Sequence, residues 1–371
     1  MREFIYPIRV QLLKSSCRVC RLVGHLSNPD QSPDIVPEAF RVGVWSVPGH
    51  EKVQSVRLNV RSPKTDVQPL EDYRDYWSYL LAHKYPNSES AQIRMLQPSQ
   101  ICFDFFKRKL EVCYKDHEEC RYRSQAPSGL RLIDVNTKKV SPVGPGFRYI
   151  ALSYVWGDYP AQNLEDDFPT VVQDAMSVTK ALGCQYLWVD RHCIDQDPNS
   201  LQKRKMIEQM DRIYGNAFVT IIAASGNSSR DGLPGMSGPP RRRQQNIRVG
   251  DINLVELSRV GQETVKRGKW ATQGWTFQEG YLSKRRLIFT DKEVLQLCNR
   301  ELVKETQAGR DVDPYLVLNP SNIWTGTVSR CHGLEPGRDL RLCRSSYRDP
   351  APLDPLFYRG TPPSPTTYLR S

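Results

Sequence analysis

Three runs of strand length and almost no polarity constrain this chain most: RYIALSYVW at 148–156, QYLWVD at 185–190 and FVTIIAA at 218–224. A strand that is apolar on both sides has both sides covered, as in a parallel sheet between helices. The gaps between the runs carry helix patterns. In 170–182, Val171, Val172, Ala175, Met176, Thr179 and Leu182 share one helical face, and Gly183 is a natural stop. Before the third run, Met206, Met210, Ile213 and Ala217 recur at spacings of three and four. Asp197-Pro198 reads as the N-cap and first-turn proline of that helix. A Gly/Ser/Pro loop then leads to a polar strand-like segment at 246–257, a helix around 275–282 and strands at 286–290 and 293–298. The β-α-β-α-β order predicts an α/β domain with a largely parallel sheet. Right-handed crossovers place its helices on both faces.

The flanks differ in texture. Residues 1–100 are mixed and punctuated by Pro and Ser, with a strand at 55–60, and read as an elaboration of uncertain fold on the main sheet. Residues 101–305 hold the periodic pattern. Residues 306–371 contain 9 of the 27 prolines and read as a disordered Pro/Arg-rich tail. No stretch approaches the ~20 apolar residues of a membrane span. The N-terminus has Glu3, Pro7 and Arg9 among its apolar residues, which predicts no secretory leader. Ten cysteines then read as reduced thiols, and the location as cytoplasmic. The net charge of +11 permits nucleic-acid binding, and Arg241-Arg242-Arg243 is the one run of three arginines.

In such sheets ligands gather beyond the carboxyl ends of the strands. The first strand ends in Trp156-Gly157-Asp158 and the second in WVDRHCIDQD. There Asp190 is either a functional carboxylate or a turn cap, whereas Asp195 and Asp197 read as caps. A dyad of His192 and Cys193 is disfavoured, because neighbours in an extended stretch point to opposite sides. In GWTFQEGYLSKRRLIFT, Trp275 and Glu279 stand at i and i+4 on one helix face. Glu279 is either a carboxylate of raised pKa beside an aromatic wall or a partner of Lys284, Arg285 or Arg286. No phosphate-binding loop, GxGxxG, GxSxG or HExxH motif occurs.

Cys17-x-x-Cys20 and Cys113-x-x-x-His117-x-x-Cys120 offer ligands for one zinc ion, as four cysteines or with His117 in place of one. The alternative is that Cys113, His117 and Cys120 form a small core face on a helix starting near Phe103. Cys184 and Cys298 read as buried small hydrophobes.

Taken in order, RYIALSYVWGD, YLWVDRHCIDQD with QMDRIYGNAFVTIIAASG, and GWTFQEGYLSKRRLIFT resemble the fungal heterokaryon-incompatibility (HET) domain across about 148–300. APSGLRLIDV and the Cys113-His117-Cys120 stretch resemble the segment that often precedes it. One departure is Gln273, where the family commonly has Arg. The resemblance implies an effector of non-self recognition between hyphae that triggers growth arrest or programmed cell death. It also implies a remote similarity to flavodoxin-like Toll/interleukin-receptor (TIR) domains, several of which cleave NAD. On that likeness Glu279 is the catalytic carboxylate that holds the nicotinamide ribose. Ser153, Trp156, Asp190 and Trp275 form the binding walls, NAD is the substrate, and no cofactor or metal is required. The implied partners are a second copy or another incompatibility protein. A competing reading is a non-catalytic assembly domain. A third, a zinc-stabilised nucleic-acid binder, ranks last because the aromatic–basic alternation of single-strand binders is missing.

Overall fold

The computed structural model describes residues 2–4, 14–26, 39–47, 50–61, 78–84, 94–121, 125–157, 168–197, 199–250, 252–257, 265, 268–273 and 279–306. For 2–4, 23–26, 39–47, 50–61, 78–84 and 257 only the backbone course is described. Trp275 and the tail expected to be disordered, from residue 307 on, lie outside these residues.

Two sheets are present among the described residues. The N-terminal strands β1 (Arg2–Phe4), β2 (Ala39–Val47), β3 (His50–Arg61) and β4 (Ser78–Lys84) come first in the chain. They are followed by β5 (Arg131–Asp134), β6 (Lys139–Pro142), β7 (Tyr149–Ser153), β8 (Tyr186–Trp188) and β9 (Val219–Ala223). The last are β10 (Asn246–Val249), β11 (Ile252–Leu257), β12 (Arg285–Phe289), β13 (Val294–Cys298) and β14 (Leu302–Lys304). An antiparallel sheet runs β1-β2-β3-β4-β11-β10. The polar segment expected at 246–257 is thus a hairpin, turned at Gly250 (φ +61°), and it pairs with β4 from the N-terminal region.

The second sheet runs β14-β13-β12-β9-β7-β8-β5-β6. Its central four strands are parallel, with Ile150 opposite both Leu187 and Val219, and Ile222 opposite Ile288. Both flanks are antiparallel: β5 and β6 on one side, β13 and β14 on the other. The sheet is therefore mixed, with the parallel arrangement confined to its centre. The chain leaves β7 for its neighbour β8 and then returns past β7 to β9. The direction of winding reverses between β7 and β9, which is where ligands settle in open α/β sheets.

The helices are α1 (Arg18–Leu26), α2 (Phe103–Asp116), α3 (Thr170–Ala181), α4 (Asp190–Cys193), α5 (Leu201–Glu208) and α6 (Met210–Asn216). Helix α3 packs on β7 and β8 through Val171, Val172, Ala175 and Val178, all buried. It stops at Gly183, whose φ of +79° an L-residue rarely adopts. All five residues of β7, β9, β12 and β13 are buried. Each large apolar side chain buried there contributes roughly 1.5–3 kcal/mol. At the centre, Trp188 meets Tyr214 edge to face at 5.3 Å.

Local expectations are corrected in three places. Asp197 does not cap α5, because its Oδ1 accepts the Asn199 N–H in a turn before the helix. Ser200 is the cap and accepts from the Lys203 N–H. The single helix expected through Met206 and Ala217 is two helices. Gln209 breaks it by turning its amide to the Ser128 N–H and carbonyl. Asp190 does not end a strand but opens the short helix α4.

Candidate functional site: a buried acid cluster at the winding reversal

Ser153 is the last residue of β7, opposite Ile222 of β9, and so sits where the winding reverses. Its hydroxyl donates to Glu279 Oε2 at 2.5 Å and accepts from Trp270 Nε1 at 2.8 Å. Trp270 is fully buried on a 3₁₀ turn, Lys269–Thr272. Glu279 is only 5% exposed. Its carbonyl accepts from Ser283 Oγ, which also meets Thr220 Oγ1 of β9. The Tyr214 hydroxyl faces the Leu152 carbonyl at 3.3 Å and the Glu279 carboxyl.

A second carboxylate lies beside this cluster. Asp190 Oδ2 accepts the Trp156 indole N–H at 2.9 Å, and Oδ1 accepts the Arg191 backbone N–H at 2.7 Å. The Arg191 guanidinium stands over the Trp156 ring at 5.3 Å and is itself buried. The strand end thus fixes Ser153 and Trp156, the following strand delivers Asp190, and the segment before β12 delivers Glu279.

The two acids perturb each other. Burial, then the nearby Asp190 charge, pushes the Glu279 carboxyl well above its ordinary range, against the pull of hydrogen bonds from Ser153 and Tyr214. Burial raises Asp190 to about 6, opposed by the Arg191 N–H, the Trp156 indole and the Arg191 charge. Burial also drives the Tyr154 and Tyr214 hydroxyls well up. The cluster therefore keeps its protons to a higher pH than exposed carboxylates do, as an acid–base site does. A buried structural acid does the same.

Of the residues singled out from sequence, Ser153, Trp156, Asp190 and Glu279 lie at this end of the sheet, and Trp275 lies outside the described residues. Glu279 turns to Ser153. Arg285 donates to the Phe218 and Cys120 carbonyls, and Arg286 to those of Gly280 and Tyr281. His192 packs against Phe168, while the buried Cys193 accepts the Val189 N–H and is raised to about 12 by burial. Sequence reasoning missed Trp270 and Tyr214. Both are aromatic residues with a polar tip in apolar surroundings, which is the signal that could have found them.

The cysteines sort differently from the sequence expectation. Cys113, His117 and Cys120 converge with Cys298, and not with Cys17 and Cys20. Cys17 and Cys20 contact each other at α1, where Cys17 is exposed. Helix α2 ends at Asp116, so the three upstream residues do not share a helix face. His117 is its extended C-cap and Cys120 ends a 3₁₀ turn. Hydrogen bonds from Cys113 and Cys298 lower the pKa of the Cys120 thiol, and the same contact with Cys120 raises that of the Cys113 thiol. In the basic cluster, Arg241 is buried against Glu305 and Arg242 lies 3.5 Å from Glu256. Two of its three arginines are thus engaged within the fold.

An α/β sheet with a buried acid cluster at its winding reversal defines the general class. Residues 149–279 match the family model described as heterokaryon incompatibility protein (HET). The chain carries a HET domain, and the domain points to a role in heterokaryon incompatibility. No match was found among curated proteins. None was found among solved structures either. No helix among the described residues is long and apolar enough to cross a membrane.

Proposed function

We propose that this chain is an incompatibility effector that brings about cell death by cleaving the nicotinamide–ribose bond of NAD, with Glu279 as the catalytic carboxylate. The observation that carries this reading is the 2.5 Å contact of Ser153 with a buried Glu279 at the winding reversal. Counted from β7, the strand order is second-first-third-fourth, the order of flavodoxin-like sheets, which supports the TIR likeness. In the proposed reaction the C1′–N bond breaks and its electron pair leaves with neutral nicotinamide. Water adds to C1′ and releases a proton, giving ADP-ribose. The ribose hydroxyls take the place of Ser153 on Glu279, whose negative charge offsets the oxocarbenium charge that develops at C1′. Trp156 and Trp275 supply stacking faces, and Asp190 holds Trp156. Because Glu279 must be charged for this role, turnover rises with pH.

A second reading is favoured by the 5% exposure of Glu279 and its complete set of partners. Here the acid is structural, and the domain acts by assembling with a second copy or another incompatibility protein. NAD consumption by purified protein, wild type against Glu279→Gln, separates the two when circular dichroism shows both folded. Turnover lost in the variant supports the enzyme. No turnover in the wild type at high concentration sinks it and leaves assembly. Toxicity retained in a folded Glu279→Gln variant has the same meaning.

A further inference from the structure

Four potential ligands meet at one buried point between helix α2 and the β13–β14 hairpin. Cys113 projects from the last turn of α2, His117 caps that helix, Cys120 closes the 3₁₀ turn, and Cys298 ends β13. Their sulfur and imidazole nitrogen atoms all lie within 4.8 Å of one another. A tetrahedral zinc ion, bound at about 2.3 Å by sulfur and about 2.0–2.1 Å by nitrogen, draws such atoms to about 3.5–3.8 Å apart. Small side-chain adjustments reach that geometry. All four residues are buried, with Cys113 and Cys298 fully so.

The surroundings are built for charge and not for a small apolar core. His117 Nδ1 lies 3.4 Å from Cys298 Sγ, while Nε2 on the opposite side of the ring lies 3.6 Å from the Glu301 carboxylate. A carboxylate behind a histidine fixes the ring and its proton so that the other nitrogen faces a metal. Cys298 Sγ also accepts two backbone N–H groups, from Arg300 at 3.4 Å and Glu301 at 3.3 Å. Such donors stabilise a thiolate. Arg285 reaches the Cys120 carbonyl at 3.1 Å and brings positive charge to a site that three thiolates and one zinc leave negative.

We propose that Cys113, His117, Cys120 and Cys298 bind one structural zinc ion. Four protein ligands close the coordination sphere, so the ion ties α2 to the hairpin and has no open position for chemistry. The ligands lie before and after the matched residues 149–279, and the site stands independently of the proposed activity.

The test uses the full chain, purified without chelators and dialysed into metal-free buffer. Elemental analysis should find about one zinc per chain, as a closed four-ligand site requires. Exchange into cobalt should give the intense visible bands of tetrahedral thiolate coordination. Cys298→Ser should lose the metal, whereas Cys17→Ser and Cys20→Ser should retain it. Glu301→Gln should weaken binding about 10–100-fold, the usual effect of removing such a supporting carboxylate. If Cys298→Ser does not fold, alkylation of the wild type decides: the three thiols should be protected until a chelator is added. Metal-free protein that takes up no cobalt would overturn the proposal. So would zinc retained in a folded Cys298→Ser variant, or a disulfide between any two of the three cysteines.

Discussion

Ser153 and Glu279 stand 126 positions apart in sequence and 2.5 Å apart in space, joined by a hydroxyl that also receives the Trp270 indole N–H. That one oxygen links the end of β7, the 3₁₀ turn and the segment before β12. Removing it in Ser153→Ala takes one of its donors from a buried carboxyl, which keeps Tyr214, and takes the Ser153 acceptor from the Trp270 indole. The expected cost is about 1 kcal/mol for each of the two hydrogen bonds lost. Urea unfolding of the variant should show the lowered midpoint. An unchanged midpoint would mean that the three segments are not held together there.

The raised carboxyls make stability depend on pH in a definite direction. An acid whose pKa is higher in the folded than in the unfolded chain binds more protons when folded, so stability falls as pH rises through that interval. Asp190, raised to about 6, and the fully buried Glu293, also raised to about 6 by burial, define a window from about pH 4 to 6. Glu279, held well above its ordinary range by burial and by the Asp190 charge, adds to the fall in the same direction. Glu293 alone corresponds to about 2 kcal/mol lost across its interval. Thermal unfolding at pH 5 and pH 8 should show the higher melting point at pH 5. Glu293→Gln and Glu279→Gln should each flatten the difference, and a variant as steep as the wild type would show its acid to be ordinary.

Gly268 opens the turn that carries Trp270. A Cβ there would stand 2.3 Å from the Ala224 carbonyl oxygen, which is backbone just after β9 and cannot swing aside. Gly268→Ala must therefore displace the turn and with it the Trp270–Ser153 hydrogen bond. We expect about 1–3 kcal/mol of destabilisation, the usual cost of overpacking, with a shift in the Trp fluorescence of the folded protein. A variant matching the wild type in both would show that the turn is free to move.

Arg241 and Glu305 form an ion pair whose side chains are 1% and 2% exposed. Glu305 also accepts the Val294 N–H, and Arg241 reaches the Gln97 and Gln100 carbonyls. Glu305→Leu strands a buried guanidinium and should cost about 3–5 kcal/mol. Adding Arg241→Met should restore part of that loss, since no charge is then left unpaired. Denaturant melts of the two singles and the double close the cycle. Strict additivity would show that the pair is not coupled.

How much of this was legible in the sequence follows from the range of the forces involved. The strands β7, β8 and β9 and helix α3 were readable because an unbroken apolar run or a one-faced stripe is a local consequence of burial. The interruption at Gln209 was not, since it depends on Ser128, which is 81 positions away. Asp197 looked like a cap and is a turn residue, because the same carboxylate serves either role and Ser200 lay within reach. At the acid cluster, Glu279 stands out by its spacing from Trp275 and Ser153 by the resemblance, but the Trp270 between them belongs to no motif. By itself Cys298 reads as a small apolar residue. Only the folding of β13 against α2 brings it to Cys113, His117 and Cys120.

The pairing of β9 with β12 bears on how this domain can be exchanged between genes. The matched residues end at Glu279, yet β9 keeps one of its two hydrogen-bonded neighbours only through residues 286–289. A recombination event that swapped 149–279 alone would carry the acid cluster whole and graft Thr220, Ile221, Ile222 and Ala223 onto a foreign β12. The smallest piece that can be inherited as a working unit is therefore longer than the signature by which it is recognised. The β12 segment must fit a β9 lying more than sixty residues upstream, since Arg286, Leu287, Ile288 and Phe289 pair with Thr220, Ile221, Ile222 and Ala223.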